Sequence, residues 1–186
     1  NVTLISHSGS GMAGIMDCDE RINFNLTVSA GQELSVGMHD YLDFALEMPT
    51  TQVVGLFMET VRKPDLMIQA FAKAARKQIP IVVIKTGKTK RSAELTVSHS
   101  GALAGSDDCH QALFRKYGIQ RVNDMDELAK TLIMFAQPHS LAEGNLVTIH
   151  DSGGERQLIL DLAADQEVDF AALNSETVAK LEEILD

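Results

Sequence analysis

Short apolar segments alternate with longer amphipathic segments along most of the chain. Five segments rich in Val, Ile, Leu and Phe have the composition of strands that are covered on both faces of a sheet. These predicted strands lie at 1–6, 24–30, 52–59, 79–85 and 119–122. In the segments between them, apolar residues recur every three or four positions, which predicts amphipathic helices.

Strand–helix alternation repeated five times predicts an α/β fold, namely a flavodoxin-like, doubly wound parallel sheet of five strands with helices on both faces. We assign this domain to residues 1–137 and a linker to 138–144, where Pro, Ser and Gly interrupt the pattern. Residues 145–186 repeat the order strand, glycine loop and helix once. They are expected to begin a second, incomplete α/β domain of a similar kind, as part of a longer polypeptide.

Charge and composition argue against several classes of protein. A formal net charge of −10 is unlike that of a nucleic-acid-binding protein, which needs a basic surface. No apolar segment approaches the roughly 20 residues of a membrane span, and no signal peptide is recognisable. The two cysteines, Cys18 and Cys109, form no C-x-x-C motif, so we expect reduced thiols in a cytoplasmic protein.

Serine and glycine residues lie between predicted strands and helices at three places, 6–11, 98–106 and 152–154. Carboxyl ends of parallel strands meet at one edge of a sheet, where ligands bind. The first and third places begin a helix, whose free N–H groups and positive dipole end attract an anion. The candidate phosphate-binding residues are Ser8, Gly9, Ser10, Ser152, Gly153 and Gly154. Two such helix starts would form a phosphate cage, although each alone also fits an ordinary loop capped by serine.

Six histidines are present, and a histidine is more often structural than catalytic. We expect His39 and His110, which lie on predicted helices, to be exposed or half-buried. His150 ends a predicted strand before a glycine loop, where a structural hydrogen bond is its expected role. His99 differs because it lies in a long polar loop, 86–100, where its imidazole is free to move.

The segment KTGKTK (85–90) contains part of a nucleotide-binding P-loop. That motif requires a glycine five residues before Gly87, and Val82 occupies this position, so the P-loop is excluded. The basic residues here are instead expected to form a local loop that is solvated or near an anionic ligand. They are Lys85, Lys88, Lys90 and Arg91.

Residues 97–108, VSHSGALAGSDD, resemble the phosphohistidine loop of the ADP-forming (NDP-forming) acyl-CoA synthetases, relatives of succinyl-CoA synthetase. Residues 2–17 resemble the opening strand and phosphate-binding "power helix" of that family, and 53–89 resemble a later strand–helix–strand unit. Residues 146–166 resemble the start of the next domain, which supplies a second power helix. The resemblance therefore covers essentially the whole chain.

The resemblance implies an acid–thiol ligase that interconverts acyl-CoA, phosphate and ADP with a free acid, CoA and ATP. An enzyme-bound acyl phosphate would give its phosphoryl group to a histidine, which then carries it to the nucleotide. By position in the motif this phosphohistidine is His99, and the carboxylate that orients it is Glu59. A neutral imidazole is a good nucleophile near pH 7, and its second nitrogen needs such a partner. The two serine–glycine helix starts would hold the phosphate.

The resemblance also implies ligands and partners beyond these 186 residues. The substrates are a carboxylic acid or acyl-CoA and phosphate, and the cofactors are CoA and ATP or ADP with Mg²⁺. An ATP-grasp domain and a Rossmann CoA-binding domain are expected on the same chain or on a partner subunit. We expect an oligomer, no metal ligands within this chain, and no complete reaction from this chain alone.

Two residues depart from the family pattern. His7 stands in the first glycine loop where the family usually has Gln or Arg, either as a second histidine near the phosphate or as a polar substitute. We favour the polar substitute. Glu155 stands where an apolar residue often follows the glycines. Its charge suits a helix N-terminus but would repel a phosphate unless the side chain points away.

Two other functions are compatible with this fold. One is a non-catalytic, acyl-CoA-sensing regulatory domain of a protein acetyltransferase, in which the histidine is often lost. The presence of His99 and Glu59 favours the enzyme over this alternative. The other is a flavodoxin-like binding domain without phosphoryl transfer. Flavin is a poor fit because the chain has no Trp and only two Tyr residues to stack on it.

Overall fold

A five-stranded parallel sheet forms the centre of the larger of two compact units, Asn1–Pro138 and His139–Asp186. The computed structural model describes residues 1–100, 105–137 and 144–185, with all their side chains except those of 99, 100 and 185. The strands are β1 (Val2–Ser6), β2 (Phe24–Ser29), β3 (Val53–Met58), β4 (Ile81–Lys85) and β5 (Gln120–Val122). Their order, β2-β1-β3-β4-β5, is the flavodoxin-like one. The predicted fold class is therefore confirmed.

Six helices lie in the described part of the larger unit. They are α1 (Gly9–Cys18), α2 (Met38–Ala45), α3 (Pro64–Lys77), α4 (Lys90–Ser100), α5 (Asp107–Tyr117) and α6 (Met125–Phe135). Two of the helix ends carry expected signals: the Asp124 side chain accepts a hydrogen bond from the Glu127 N–H, and Gly118 ends α5 with a left-handed φ of 66°. Among the described residues, no helix has the length and apolar character needed to cross a membrane.

Apolar residues pack these helices onto both faces of the sheet. One cluster joins the sheet to α2, α3 and α5 and includes Met38, Phe71 and Phe114. The other joins the sheet to α1 and α6 and includes Ile15 and Leu132. The strands contribute to both clusters because successive side chains of a strand point to opposite faces. This packing on two faces fixes where the carboxyl ends of the strands lie.

The segment after β4 differs from the predicted loop. Residues 86–100 are predicted to be a polar loop, but Lys90–Ser100 form helix α4. The Thr89 hydroxyl accepts a hydrogen bond from the Ser92 N–H at 3.2 Å, which caps the helix. The first residues of α4 include Lys, Arg, Ala, Glu and Leu, which favour helix despite the polar composition. His99 therefore lies in the last turn of a helix, and the predicted loop is wrong here.

The smaller unit has two helices in its described part, α7 (Gly153–Asp165) and α8 (Ser175–Leu185). The strand predicted at 145–150 does not form, and a single parallel bridge joins Leu146 to Phe170 instead. A strand needs a hydrogen-bonding neighbour along its length, and the described residues of this unit offer only that one bridge. Apolar side chains consequently stay exposed here, with Ile149 97% exposed. The predicted glycine loop and helix are present.

Both cysteines are free and exposed in the structure. Cys18 is the last residue of α1, which starts at the carboxyl edge of the sheet and runs back to the opposite edge. Cys109 lies in the first turn of α5, which starts at the carboxyl edge. The two thiols therefore lie at opposite edges of the sheet.

Candidate functional site

The carboxyl ends of three adjacent strands bring a set of polar side chains together. Strands β1, β3 and β4 are neighbours in the sheet, and β4 ends at Lys85. His7 and Glu59 follow directly after β1 and β3. In a sheet of this order the direction of strand addition reverses between β1 and β3, and doubly wound proteins bind ligands at that point. His7 and Glu59 thus lie at the expected ligand-binding edge.

The imidazole of His7 takes the place of a main-chain group at the end of the β1–β3 ladder. The His7 N–H donates to the Phe57 carbonyl at 3.0 Å. In a regular parallel ladder, the next bond would run from the Glu59 N–H to the His7 carbonyl. Because the chain turns into α1 here, the Glu59 N–H donates instead to His7 Nδ1, at 2.9 Å. Only 3% of the His7 side chain is exposed.

The second nitrogen of His7 faces a buried carboxylate. Because Nδ1 accepts a hydrogen bond, the proton of the neutral ring lies on Nε2. Nε2 is 3.5 Å from Glu33 Oε1, about 0.5 Å longer than a good hydrogen bond. Within the described residues Nε2 has no hydrogen-bond partner in good geometry, so the contact with Glu33 is electrostatic.

Glu33 reaches this position from the loop after β2. Its backbone has a left-handed φ of 54°, and its side chain is only 4% exposed. The Met38 N–H donates to its carboxylate, and Arg62 Nε lies 3.5 Å from Oε2. Burial raises the pKa of Glu33, but His7, the Met38 N–H and Arg62 together outweigh burial and lower it. Glu33 is therefore a fixed negative charge beside His7 at neutral pH.

Lys85 binds the main chain of Glu59 from the other side. Its Nζ donates to the Glu59 carbonyl at 2.9 Å and to the Thr86 carbonyl at 2.6 Å. Lys85 is 2% exposed, and burial lowers its pKa to about 8 against the opposing effect of the Asp107 charge. Of the two expectations for Lys85, solvated or near an anionic ligand, the first is wrong, because Lys85 is the last residue of a buried strand.

An ion pair fixes the start of α5 to β5. Both terminal nitrogens of Arg121 bind the Asp107 carboxylate, at 2.5 and 3.1 Å, and this pairing lowers the pKa of Asp107. Arg121 Nη2 also lies 3.4 Å from the Lys85 carbonyl. The helix that follows the predicted phosphohistidine loop is therefore anchored to the same edge of the sheet.

The two residues assigned to phosphoryl transfer are described to different extents. Glu59 is half-buried at the end of β3, with its N–H bound by His7 and its carbonyl by Lys85. His99 lies in α4, but its side chain and residues 101–104 are outside the described part of the chain. The pairing of Glu59 with His99 therefore stays a prediction.

The start of α1 has the features of an anion-binding helix end. The Ser8 hydroxyl caps it by accepting from the Gly11 N–H at 3.1 Å, and it lies 3.2 Å from the Ser10 hydroxyl. A Cβ on Gly11 would come within 3.2 Å of Ser8 Oγ, so glycine leaves room for the cap. Gly9 and Ser10 are exposed, and the first turn has no acidic residue to repel an anion. The predicted phosphate-binding role of this helix start stays a prediction.

The start of α7 has a similar cap with one difference. The Ser152 hydroxyl accepts from the Glu155 N–H at 3.1 Å, and Gly153 and Gly154 are exposed. Glu155 adds a carboxylate to the first turn, which α1 lacks. The phosphate-binding role of Ser152, Gly153 and Gly154 likewise stays a prediction.

Two other histidines are more buried than predicted. His39 and His110 are 5% and 9% exposed, because each lies on the inner face of an amphipathic helix. His110 Nδ1 donates to the Ser106 carbonyl at 2.8 Å. Burial and the charge of Lys85 lower the pKa of His110. In His150, Nε2 is buried and lacks a hydrogen-bond partner among the residues that the structure describes.

Sequence reasoning missed Glu33 and Arg121 as parts of this edge, and it missed the burial of Lys85. Lys85 carries a detectable signal, since it is a single charge at the end of an otherwise apolar strand. Arg121 is likewise a charged residue in a strand, but β5 has only three residues and is less apolar, so the signal is weaker. Glu33 carries none, because its contact with His7 depends on one left-handed loop residue.

A family model and several known proteins match this chain. The model of the succinyl-CoA ligase like flavodoxin domain matches residues 1–135. The ADP-forming acetate–CoA ligase of Methanocaldococcus jannaschii is 29% identical over 186 residues, covering 99% of this chain and 26% of that protein. The alpha subunit of ADP-forming acetate–CoA ligase I from Pyrococcus furiosus is 31% identical over 170 residues, covering 89% of this chain and 36% of the subunit.

A solved structure is similar along the whole chain. It is the dinucleotide-forming acetyl-coenzyme A synthetase 1 of Candidatus Korarchaeum cryptofilum, in complex with phosphate and ADP. The TM-score is 0.81 at 26% identity, and the match covers 100% of this chain and 41% of the other. This chain thus spans less than half the length of each of these relatives.

Proposed function

Because this chain belongs to the family of succinyl-CoA ligase like flavodoxin domains, as its sequence motifs predict, we propose that it is the phosphohistidine-bearing part of an ADP-forming acyl-CoA synthetase. The observation that carries this proposal is the match of 99% of the chain to a protein named as an ADP-forming acetate–CoA ligase. The reaction class is acid–thiol ligation, and the substrates are a carboxylic acid, CoA and ATP.

In the proposed reaction, phosphate displaces CoA from acyl-CoA and gives an acyl phosphate and the free thiol. One imidazole nitrogen of His99 then attacks the phosphorus. A P–N bond forms, the P–O bond to the acyl group breaks, and the carboxylate leaves. ADP accepts the phosphoryl group from the histidine, so the P–N bond breaks and ATP forms. The reverse sequence makes acyl-CoA from the acid, CoA and ATP.

Glu59 orients His99 in this proposal. A carboxylate that accepts the N–H of an imidazole determines which nitrogen attacks and stabilises the positive charge that develops on the ring. Glu59 suits this role because it follows a central strand at the ligand-binding edge. Its main chain is held on both sides, by His7 and by Lys85.

The starts of α1 and α7 bind phosphate groups in this proposal. Their serine caps leave exposed glycines and free N–H groups at a positive helix end, which supports the role. The residues concerned are Ser8, Gly9, Ser10, Ser152, Gly153 and Gly154. The carboxylate of Glu155 must turn away from a phosphate bound at α7.

CoA, and ATP or ADP with Mg²⁺, are bound mainly by Rossmann and ATP-grasp domains in this proposal. Those domains lie on the same polypeptide or on a partner subunit of a cytoplasmic oligomer. One relative is named as an alpha subunit, which supports a divided enzyme. Among the residues that the structure describes, no group of three or more His, Cys, Asp and Glu side chains could hold a metal ion.

Transfer of the γ-phosphoryl group from ATP to the enzyme tests the proposal. The complete enzyme that carries this chain is incubated with γ-labelled ATP, and the acid-labile, base-stable label is mapped by mass spectrometry. We expect label on His99, none in His99→Ala, and less label in Glu59→Gln.

Glu20→Gln is the matched control for Glu59→Gln. It removes the same charge from an exposed residue beyond the end of α1, at the opposite edge of the sheet, and it should label like the wild type. Label on another histidine would contradict the assignment of His99. Absence of any label would contradict the enzyme and favour the acyl-CoA-sensing regulatory domain.

A further inference from the structure

We propose that His7 is a positioning residue that holds Glu59 in place for its contact with the phosphohistidine. This inference rests on the proposed function, in which Glu59 orients His99. It assigns a role to a buried histidine that the proposed reaction itself does not use. The contact that carries it is the hydrogen bond from the Glu59 N–H to His7 Nδ1, at 2.9 Å.

The position of this hydrogen bond in the sheet explains its importance. After Ser6 the chain leaves β1 and turns towards α1. The β1–β3 ladder therefore offers no main-chain acceptor to the N–H of Glu59. Without a substitute, the N–H of Glu59 would be unpaired at a half-buried position. The imidazole of His7 extends the ladder by one bond and keeps β3 regular up to the residue whose carboxylate must be aimed.

The main chain of Glu59 is fixed from both neighbouring strands. His7 binds its N–H from β1, and Lys85 Nζ binds its carbonyl at 2.9 Å from β4. The peptide groups on both sides of the Glu59 Cα are therefore held. Such support keeps a functional carboxylate within the narrow range of positions that its role requires.

His7 itself is not available as a phosphoryl acceptor. Its Nδ1 lone pair is used by the Glu59 N–H, and its Nε2 carries the proton and faces Glu33 at 3.5 Å. The side chain is 3% exposed. A nucleophile needs a free nitrogen lone pair that a substrate can reach. His7 therefore acts through Glu59 and does not contact the reacting groups.

The same geometry predicts which substitutions preserve the role. A glutamine at position 7 has a carbonyl oxygen to accept from the Glu59 N–H and an amide N–H to face Glu33. A leucine has a similar volume and neither group, so it leaves the Glu59 N–H without an acceptor. His7→Gln and His7→Leu thus form a matched pair that separates hydrogen bonding from packing.

Single-turnover phosphorylation of His99 in the complete enzyme tests the role of His7. We expect His7→Gln to label within about threefold of the wild-type rate, and His7→Leu to label about 10- to 100-fold more slowly, because a small displacement of a catalytic group costs this much. Equal rates for His7→Leu and His7→Gln would overturn the inference. No label on wild-type His99 would instead contradict the proposed function.

A measurement on the wild-type protein keeps the inference testable if His7→Leu does not fold. Nitrogen-15 chemical shifts of His7 report which ring nitrogen carries the proton. We expect the proton on Nε2 and slow hydrogen exchange at the Glu59 amide, because Nδ1 accepts from that amide. A proton on Nδ1 of the neutral ring, or fast exchange at Glu59, would overturn the inference.

Discussion

At the scale of single residues, Lys85 places a charge where solvent does not reach. Burial is the main cause that lowers its pKa, to about 8 from the usual 10.5. Below pH 8, Lys85 carries its proton in both the folded and the unfolded chain, so burial of the charged ammonium lowers the free energy of unfolding by its full amount. Between about pH 8 and 10.5 the unfolded chain binds more protons, so the free energy of unfolding rises with pH, by up to about 3 kcal/mol in total.

Urea unfolding of the wild type and of Lys85→Met at about pH 7.5 and about pH 9.5 measures this rise. Over this pH interval we expect the free energy of unfolding of the wild type to rise by about 2 kcal/mol more than that of Lys85→Met. Methionine has a similar length and does not titrate. Equal gains in both proteins would show that the buried ammonium does not release its proton in this range.

Single residues were predictable where a local motif defines them. The serine caps, Asp124 at the start of α6 and Gly118 at the end of α5 follow from rules about helix ends. The contacts of His7 and Lys85 were not, because they depend on the meeting of three strand ends that are distant in sequence. The proposed roles of His99 and Glu59 rest on the resemblance to the family motif and not on the geometry of the chain.

At the scale of elements, two glycines test how tightly helices pack on the sheet. Gly55 lies in β3, and a Cβ there would come within 3.0 Å of Leu132 in α6 and 3.3 Å of Leu4 in β1. Both leucines are fully buried. We therefore expect Gly55→Ala to overpack the core and lower the free energy of unfolding by about 1–3 kcal/mol.

Gly14→Ala is the matched control for Gly55→Ala. A Cβ on Gly14 would come within 2.9 Å of Met125 Cε, but this atom is the end of a flexible side chain. Gly14 is exposed in the middle of α1, where alanine favours the helix by about 1 kcal/mol, so we expect unchanged or slightly higher stability. Urea unfolding compares the two variants. Equal decreases in the free energy of unfolding would contradict the expectation that a Cβ at Gly55 overpacks the core.

The elements themselves were largely predictable from their patterns. Five apolar runs became five strands, each within two residues of its predicted ends, because both faces of the sheet are covered. Helix α4 was missed because its composition is polar, although its residues favour helix. The strand at 145–150 was predicted and is absent, because an apolar run forms a strand only beside a partner strand.

At the scale of the whole molecule, this chain spans 26% of one relative and 41% of another. We predict that the 186-residue polypeptide alone does not form acyl-CoA from an acid, CoA and ATP, because the proposed enzyme binds its nucleotide in another domain. Loss of free CoA thiol, followed with a thiol-reactive dye, measures this. Adding the complete enzyme is the positive control. Turnover by the isolated polypeptide would contradict the proposal that another domain binds the nucleotide.

The two exposed cysteines allow a fluorophore to be attached at either edge of the sheet. Cys109 directly follows the predicted phosphohistidine segment, 97–108, while Cys18 lies at the opposite edge of the sheet. With the other cysteine replaced by serine, a fluorophore on Cys109 would report changes in the surroundings of the first turn of α5 during turnover of the complete enzyme. The same fluorophore on Cys18 would serve as the reference, so a change in emission seen only from Cys109 could be assigned to the edge of the sheet that carries the candidate site.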